Sequence, residues 1–388
     1  HYHAALPPQV GERISARHVG VPPVGQRTSH RRSKRSRHHL RTIAMSVCST
    51  QVNARPVFKA IRDRGLSSCP SGSWLTEAAA LRAGSSAPVY INVGANKGYS
   101  ALEFVSLWSQ KHVSGHAWNR ALRSFPGAGG KLRAYSCGNC KDCHRQPPPL
   151  HGRSGGVAHL LEMAHGNRAL LRHAIRATNL TAEVVVHDAA ASNVSGVMRV
   201  PAHTMVGEER NALCLPGQRD CTESVRVVTI DDFIEHDLAQ QPRQLGPPRP
   251  PGPEAWLVSI DTEGHDALVL EGMRRTLTAR RVAIVQFEVS GRGFWSNGGG
   301  GRTPRAYSRE RRSLRHVISS FESTGYECFW ELTDGLLPLS GACWRDEYDA
   351  PRPRSLWANI ACAHEPRVVA MMHRVSSTTM SLRPRSSS

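Results

Sequence analysis

Val89-Tyr90-Ile91-Asn92-Val93-Gly94-Ala95-Asn96-Lys97-Gly98-Tyr99-Ser100 is a short apolar run that breaks into a glycine-containing turn and then into the helical pattern of Ala101–Trp108. A buried strand feeding a helix through such a turn is the usual entrance to a nucleotide-type site. The helix start presents unpaired N–H groups, and glycine lets backbone come close to a ligand. Gly94 and Gly98 are the candidates for that close approach.

Later segments supply the other walls of the same pocket. Gly156–Glu162 (GVAHLLE) is a strand-like run ending in a carboxylate, and a helical stretch at Asn167–Ala177 follows. In a doubly wound α/β sheet an acid at the end of the second strand can accept two hydrogen bonds from a ribose diol, which nominates Glu162. Trp256–Gly272 (WLVSIDTEGHDALVLEG) is an apolar strand that ends in Asp-x-Glu-Gly-His and opens a helix. Ligands bind beyond the carboxyl ends of such strands, so Asp261, Glu263 and His265 are expected to face the cleft. Val282–Glu288 (VAIVQFE) ends in a further acid. Solubility alone does not explain three strands closing on carboxylates.

Asn92–Tyr99 (NVGANKGY), Ile260–Asp266 (IDTEGHD) and Gln286–Glu288 (QFE) resemble the FkbM-type methyltransferases, and Ser355–Cys362 resembles the last strand of that family. The resemblance spans roughly residues 86–365, and the Asp-x-Glu-Gly-His block is its most specific part. It implies a class I methyltransferase-like fold: α/β, doubly wound, a mostly parallel seven-stranded sheet with an antiparallel last strand, in three α/β/α layers. It also implies S-adenosylmethionine as cofactor and O-methylation of a hydroxyl on a sugar, glycan or small natural product. Three features depart from the family pattern. Asn92 stands where Asp is usual, Glu162-Met163 replaces Glu-Pro, and residues 109–155 separate the first helix from the second strand.

The resemblance assigns the site residue by residue. Backbone N–H groups around Gly94–Gly98 receive the carboxylate of the amino acid end, with Asn92 and Asn96 adding amide contacts. Glu162 takes the ribose hydroxyls, Asp188 accepts from the adenine amino group, and Ala189 lies beside the ring. Asp261 belongs to both the cofactor and the acceptor side. Methyl transfer is an in-line displacement that needs an oriented acceptor and a base. His265 is the best residue type for that base near neutral pH, with Asp261 and Glu263 next. Glu288 completes the acceptor pocket. Nothing here demands a metal. A nicotinamide oxidoreductase is disfavoured because Asn96 occupies the middle glycine of its fingerprint. A nucleic-acid methyltransferase is disfavoured because no stacking aromatic adjoins Asp261–His265. A catalytically degenerate binding protein on the same fold is the remaining alternative.

The chain has 388 residues and a formal net charge of +19. Residues 1–66 hold 13 Lys/Arg against 2 Asp/Glu, so most of the excess sits there. Arg27–Arg41 (RTSHRRSKRSRHHLR) carries too much repulsion and too few apolar groups to offset ordering entropy. The expected organisation is a basic disordered leader over 1–55, a helical extension over 56–85 and the methyltransferase domain over 86–365. That domain carries a Cys/Pro-rich insert at 109–155 and a Pro-rich loop at 240–253, and a disordered tail follows at 366–388. Val57–Ile61 and Thr76–Leu81 are short helical candidates. No apolar run reaches the ~18 residues of a membrane-spanning helix. Cytoplasmic and secretory locations both stay open, and the sequence does not set the oligomeric state.

The insert carries Cys137-Gly-Asn-Cys140-Lys-Asp-Cys143-His144. This spacing fits either a zinc site or disulfides, within the group or to Cys214 or Cys221. Asn179-Leu-Thr181 and Asn193-Val-Ser195 are formal glycosylation sequons of a kind that chance supplies often.

Overall fold

The computed structural model describes residues 72–81, 87–109, 111–126, 140, 142–144, 155–201, 206–208, 221–240, 254–295, 313–332, 335–349 and 357–381. The expected leader, the Val57–Ile61 helix, Cys137 and the Pro-rich loop from 241 to 253 lie outside these residues.

The opening run is β1, Val89–Val93, and all five of its residues are buried. Tyr90 belongs to one hydrophobic core, while Val89, Ile91 and Val93 belong to another. A strand buried on both faces reads as a continuous apolar run, and this pattern marks the centre of a parallel sheet. β1 pairs in parallel with β2 (Val157–Leu161) on one side and β7 (Ala255–Ile260) on the other. β3 (Val184–His187) extends the sheet beyond β2, and β8 (Val282–Ser290) extends it beyond β7. β11 (Trp357–Ala363) then runs antiparallel to β8, and β9 (Glu327–Leu332) antiparallel to β11.

The sheet has eight strands where seven are expected from sequence. β10 (Gly335–Pro338) returns from β9 as an antiparallel edge. The order is β3-β2-β1-β7-β8-β11-β9-β10. A separate three-stranded sheet, β4-β6-β5, is built from Ala189–Ala191, Glu223–Val228 and Gly196–Val200.

The helices form two layers. α1 (Ser73–Leu81), α2 (Tyr99–Trp108), α3 (Gly115–Arg123), α4 (His165–Ala177) and α9 (Pro366–Ser381) share a core with Tyr90, Leu160 and Trp256. The opposite face carries α5 (residues 230–240), α6 (Asp266–Glu271), α7 (Arg274–Thr278) and α8 (Leu314–Ser323) over Ile91, Val258 and Phe287. The result is the expected doubly wound α/β/α sandwich.

Three segments differ from the sequence reading. The insert at 109–155 contains α3, whose Ser114 side chain accepts from the Ala117 amide and whose Trp118 is buried. The helix expected over Ala267–Thr276 is broken into α6 and α7. A side chain at Gly272 would meet the Ser192 carbonyl oxygen at 2.2 Å, so the small sheet presses on the chain there. The buried Asp231 then accepts from the Arg275 and Thr276 amides at 3.0 and 2.7 Å and starts the second helix. Finally, the disordered tail expected from residue 366 begins as a helix. Val368, Val369, Met371 and Met372 in α9 are buried in the same core as α1 and Leu336 of β10.

Candidate active site

The site follows from the register of the parallel strands. Val93 lies opposite Leu161 and Ile260, Leu161 opposite His187, and Ile260 opposite Phe287. One residue further on, Asp188, Glu162, Gly94 and Asp261 follow the carboxyl ends of four adjacent strands, and Glu288 stands in the same row within β8, which runs on to Ser290. Backbone bonds continue the row: the Gly94 amide donates to the Leu161 carbonyl at 3.0 Å, and the Asp261 amide to the Val93 carbonyl at 3.0 Å. The structure therefore brings together the segments that the sequence nominates.

The glycine turn is shaped by the protein itself. Gly94 has φ +81°, and a side chain there would sit 1.9 Å from the Asp261 carbonyl oxygen. Gly98 has φ +77°, and a side chain would press on Leu171 at 2.8 Å and Trp118 at 3.0 Å. The Trp118 indole donates to the Lys97 carbonyl at 2.8 Å. Both glycines are thus required by close packing of strand, turn and helices, a different reason from the ligand approach that the sequence suggests. Asn96 also lies in the left-handed region, at φ +46°.

Glu162 is buried. One carboxylate oxygen accepts the Asn96 amide at 2.7 Å and the other accepts the Ala164 amide at 2.8 Å. Burial raises its pKa, and the hydrogen bonds from Ala164 and Asn96 oppose that. It therefore staples the glycine turn to the end of β2 and holds the Ala164 amide just ahead of α4. Asn92 donates to the Ser259 hydroxyl at 2.8 Å, and the Tyr90 hydroxyl also bonds to Ser259. The Oδ1 atoms of Asn92 and Asn96 are buried acceptors with no donor among the described residues. Asp188 is half exposed and meets Arg172 and Arg168 through one oxygen, Oδ1. Ala189 is buried.

After β7 the chain turns sharply. Glu263 and Gly264 take φ +56° and +98°. Asp266, fully buried, accepts the Thr262 and Gly264 amides at 3.1 Å each, and burial pushes its carboxyl up to about 6. The Phe294 amide donates to the Gly264 carbonyl at 2.9 Å, which docks the loop following β8 on this turn. Glu263 forms an ion pair with Arg292 from that loop. Asp261 is exposed. Glu288 is pushed up to about 10, first by burial and then by the nearby charges of Asp261, Asp266 and Glu263.

His265 caps α6 and turns towards the small sheet. Its Nε2 lies 3.0 Å from the Ser192 hydroxyl, and its ring meets Phe294 edge-on. Burial pushes its pKa down to about 4. It lines a groove of about 410 Å³ with Leu268, Val227 and the segment Ser192–Met198. Val194 and Val197 on that segment are largely exposed, at 68% and 71%. The sequence reading missed Ser192 and Arg292, because a lone serine and a lone arginine far along the chain carry no local signal. Trp118 was missed as well, because it lies in the insert at 109–155, which was read only by its composition and its cysteines.

Of the cysteines in the insert, Cys140 and Cys143 are both disulfide-bonded. Asp232, Glu235 and His236 bring their side chains together on α5, but Arg275 ion-pairs with both acids, at 2.9 and 3.0 Å. No helix of the described residues is long and apolar enough to cross a membrane.

Residues 92–328 match the methyltransferase FkbM domain. No curated protein matches the chain. Among solved structures, a precorrin-6y C5,15-methyltransferase from Geobacter metallireducens GS-15 is similar at 9% identity. It covers 74% of this chain and 88% of its own, with a TM-score of 0.27. The O-methyltransferase from Bacillus cereus, in complex with SAH, is similar at 10% identity. It covers 82% of this chain and 91% of its own, with a TM-score of 0.30. Neither overlap is close enough to argue from. The matched domain takes in the end of β1, the glycine turn, Glu162, the Asp-x-Glu-Gly-His turn and Glu288, and the chain belongs to the FkbM methyltransferase domain family.

Proposed function

We propose that the chain transfers a methyl group from S-adenosylmethionine to a hydroxyl oxygen on a sugar, glycan or small natural product. The observation that carries this reading is the row of Asp188, Glu162, Gly94, Asp261 and Glu288 across five adjacent strands. The donor set fits the cofactor. Buried, unmatched acceptors at Asn92 and Asn96 suit the ammonium group of its amino acid end. Each Glu162 oxygen accepts one N–H and retains a lone pair for a ribose hydroxyl. Asp188 keeps Oδ2 for the adenine amino group, with Ala189 beside the ring. The Asp261 carboxylate favours the sulfonium charge.

The cofactor supplies a methyl group already activated by positive sulfur. The protein has then to orient the acceptor and receive its proton. In this reading the acceptor lies at the groove beside α6, and His265 takes the hydroxyl proton onto its ring. Asp261 stands at the tip of β7 and orients the hydroxyl. Glu263, committed to Arg292, fixes the turn that carries both residues.

His265 is neutral at any pH above about 4. The expected kcat/KM is therefore flat on the acid side through pH 6 and falls only as pH approaches 4. A fall centred near 6.5, or unchanged turnover in His265→Ala, removes His265 as base. Titration calorimetry with S-adenosylmethionine, S-adenosylhomocysteine and NAD tests the cofactor. Binding of the first two supports the reading, and binding of the dinucleotide alone overturns it.

A further inference from the structure

We infer that Asn179 is an N-glycan acceptor and that this protein matures in an oxidising compartment. Two independent observations converge on it. The first is the state of the sulfurs. Cys328 and Cys362 face each other on β9 and β11 and are joined as a disulfide. Cys140, Cys143, Cys221 and Cys343 are disulfide-bonded as well, so among the described residues no cysteine is free. Thiols throughout a fold stay paired where the surroundings oxidise them and are kept reduced in the cytosol.

The second observation is the placement of the sequon Asn179-Leu180-Thr181. Asn179 and Thr181 are exposed, while Leu180 between them is fully buried and pins the segment. Asn179 follows the last turn of α4 in the left-handed conformation, φ +55°. The Leu180 amide closes the helix on the Ile175 carbonyl at 2.9 Å. Asn179 bonds to the protein through its backbone: its amide donates to the Arg176 carbonyl and its carbonyl accepts from Lys111 at 2.6 Å. No hydrogen bond among the described residues engages its side-chain amide. The turn precedes β3, so it lies at the amino ends of the parallel strands, whereas Glu162, Gly94 and Asp261 lie at the carboxyl ends, and a bulky group there leaves the candidate site open. Asn193 differs. Its amide donates to Glu271 at 3.1 Å, and the residue lines the groove beside His265, which a glycan would cover.

The chemistry is a transfer from a polyprenyl-diphosphate-linked oligosaccharide. A bond forms between Asn179 Nδ2 and the anomeric carbon of the sugar, and the bond from that carbon to the diphosphate oxygen breaks. Nδ2 gives up one proton and the lipid diphosphate leaves. The Thr181 hydroxyl completes the recognition triplet.

The test uses the full chain secreted from eukaryotic cells and the same chain made in a reducing cytosol. Asn179→Gly removes the acceptor while suiting the left-handed backbone, and Thr181→Ala removes recognition while keeping the asparagine. The expected result is a mass step on treatment with peptide N-glycosidase that is absent in both variants and retained in Asn193→Gln. Alkylation of the unreduced, denatured secreted protein should find Cys328 and Cys362 unmodified. Secreted protein without a mass step at Asn179 overturns the acceptor. Cytosolic protein equally stable with its thiols free overturns the compartment.

Discussion

Glu162, just after β2, and Glu288, in β8 with two strands between them, show how two carboxyl groups are held by different surroundings. Burial raises the pKa of Glu162, and a backbone N–H on each oxygen opposes that rise. Replacing it with Ala leaves the Asn96 and Ala164 amides without their acceptor and removes the partner proposed for the ribose. The expected loss of S-adenosylmethionine affinity is roughly 1–3 kcal/mol, read by titration calorimetry. Unchanged affinity in a folded variant removes that role. Glu288 is held as a neutral acid by burial and three flanking carboxyl groups. The folded state binds its proton more tightly than the unfolded chain does. Its contribution to stability is therefore full below about pH 4.5 and is lost as pH rises towards about 10. Glu288→Gln should gain on the wild type progressively from pH 5 to pH 8, by up to about 1.4 kcal/mol for each pH unit. Urea midpoints at several pH values check this, and a gain independent of pH contradicts it.

The turn after β1 is the element on which the site is built, and its tolerance is set by what a Cβ would touch. At Gly94 a methyl group meets the Asp261 backbone at 1.9 Å with φ +81°, so strand β1 and the loop after β7 would have to part. Gly94→Ala should therefore lose cooperative unfolding altogether. Gly341 is the control: its φ is +61°, but nothing lies within 4 Å of the added atom. Gly341→Ala should cost only the backbone strain, about 1 kcal/mol. Equal midpoints for the two variants would show that the close approach at Gly94 is not rigid. The same turn explains what sequence could reveal. β1, β2, β7 and β8 are apolar on both faces and end in distinctive residues, so the strands and the residues that close them were readable. α3, β10 and α9 were not. α3 lies in a stretch dense in glycine, proline and cysteine, and only Ser114 and Trp118 mark it. The break at Gly272 depends on Ser192, eighty residues upstream in the chain but touching in space. The His265–Ser192 contact is equally non-local, so His265 could be nominated by type but not given its environment.

At the scale of the whole molecule, the antiparallel end of the sheet is where covalent and hydrophobic closure meet. β11 is the last strand, yet it inserts between β8 and β9 and so completes the sheet only after the rest of the chain is made. Cys362 on β11 is bonded to Cys328 on β9, across 34 residues of sequence. Beyond it α9 covers the opposite side of the sheet from the disulfide, with Val368, Met371 and Met372. The disulfide acts on the unfolded chain, whose freedom it reduces. A loop of this length corresponds to about 4 kcal/mol in the chain-entropy estimate. Packing by α9 acts on the folded state instead, and Met371→Ala should cost about 2–5 kcal/mol through the cavity it leaves. The two contributions can be separated kinetically. A cross-link closed in both states changes mainly the refolding side, whereas late packing slows unfolding. Cys328→Ala/Cys362→Ala is expected to lower the urea midpoint chiefly through slower refolding, and Met371→Ala chiefly through faster unfolding. If the double cysteine variant instead unfolds faster with refolding unchanged, the bond stabilises the native end of the sheet directly, and β9 and β11 pair after the rate-limiting step.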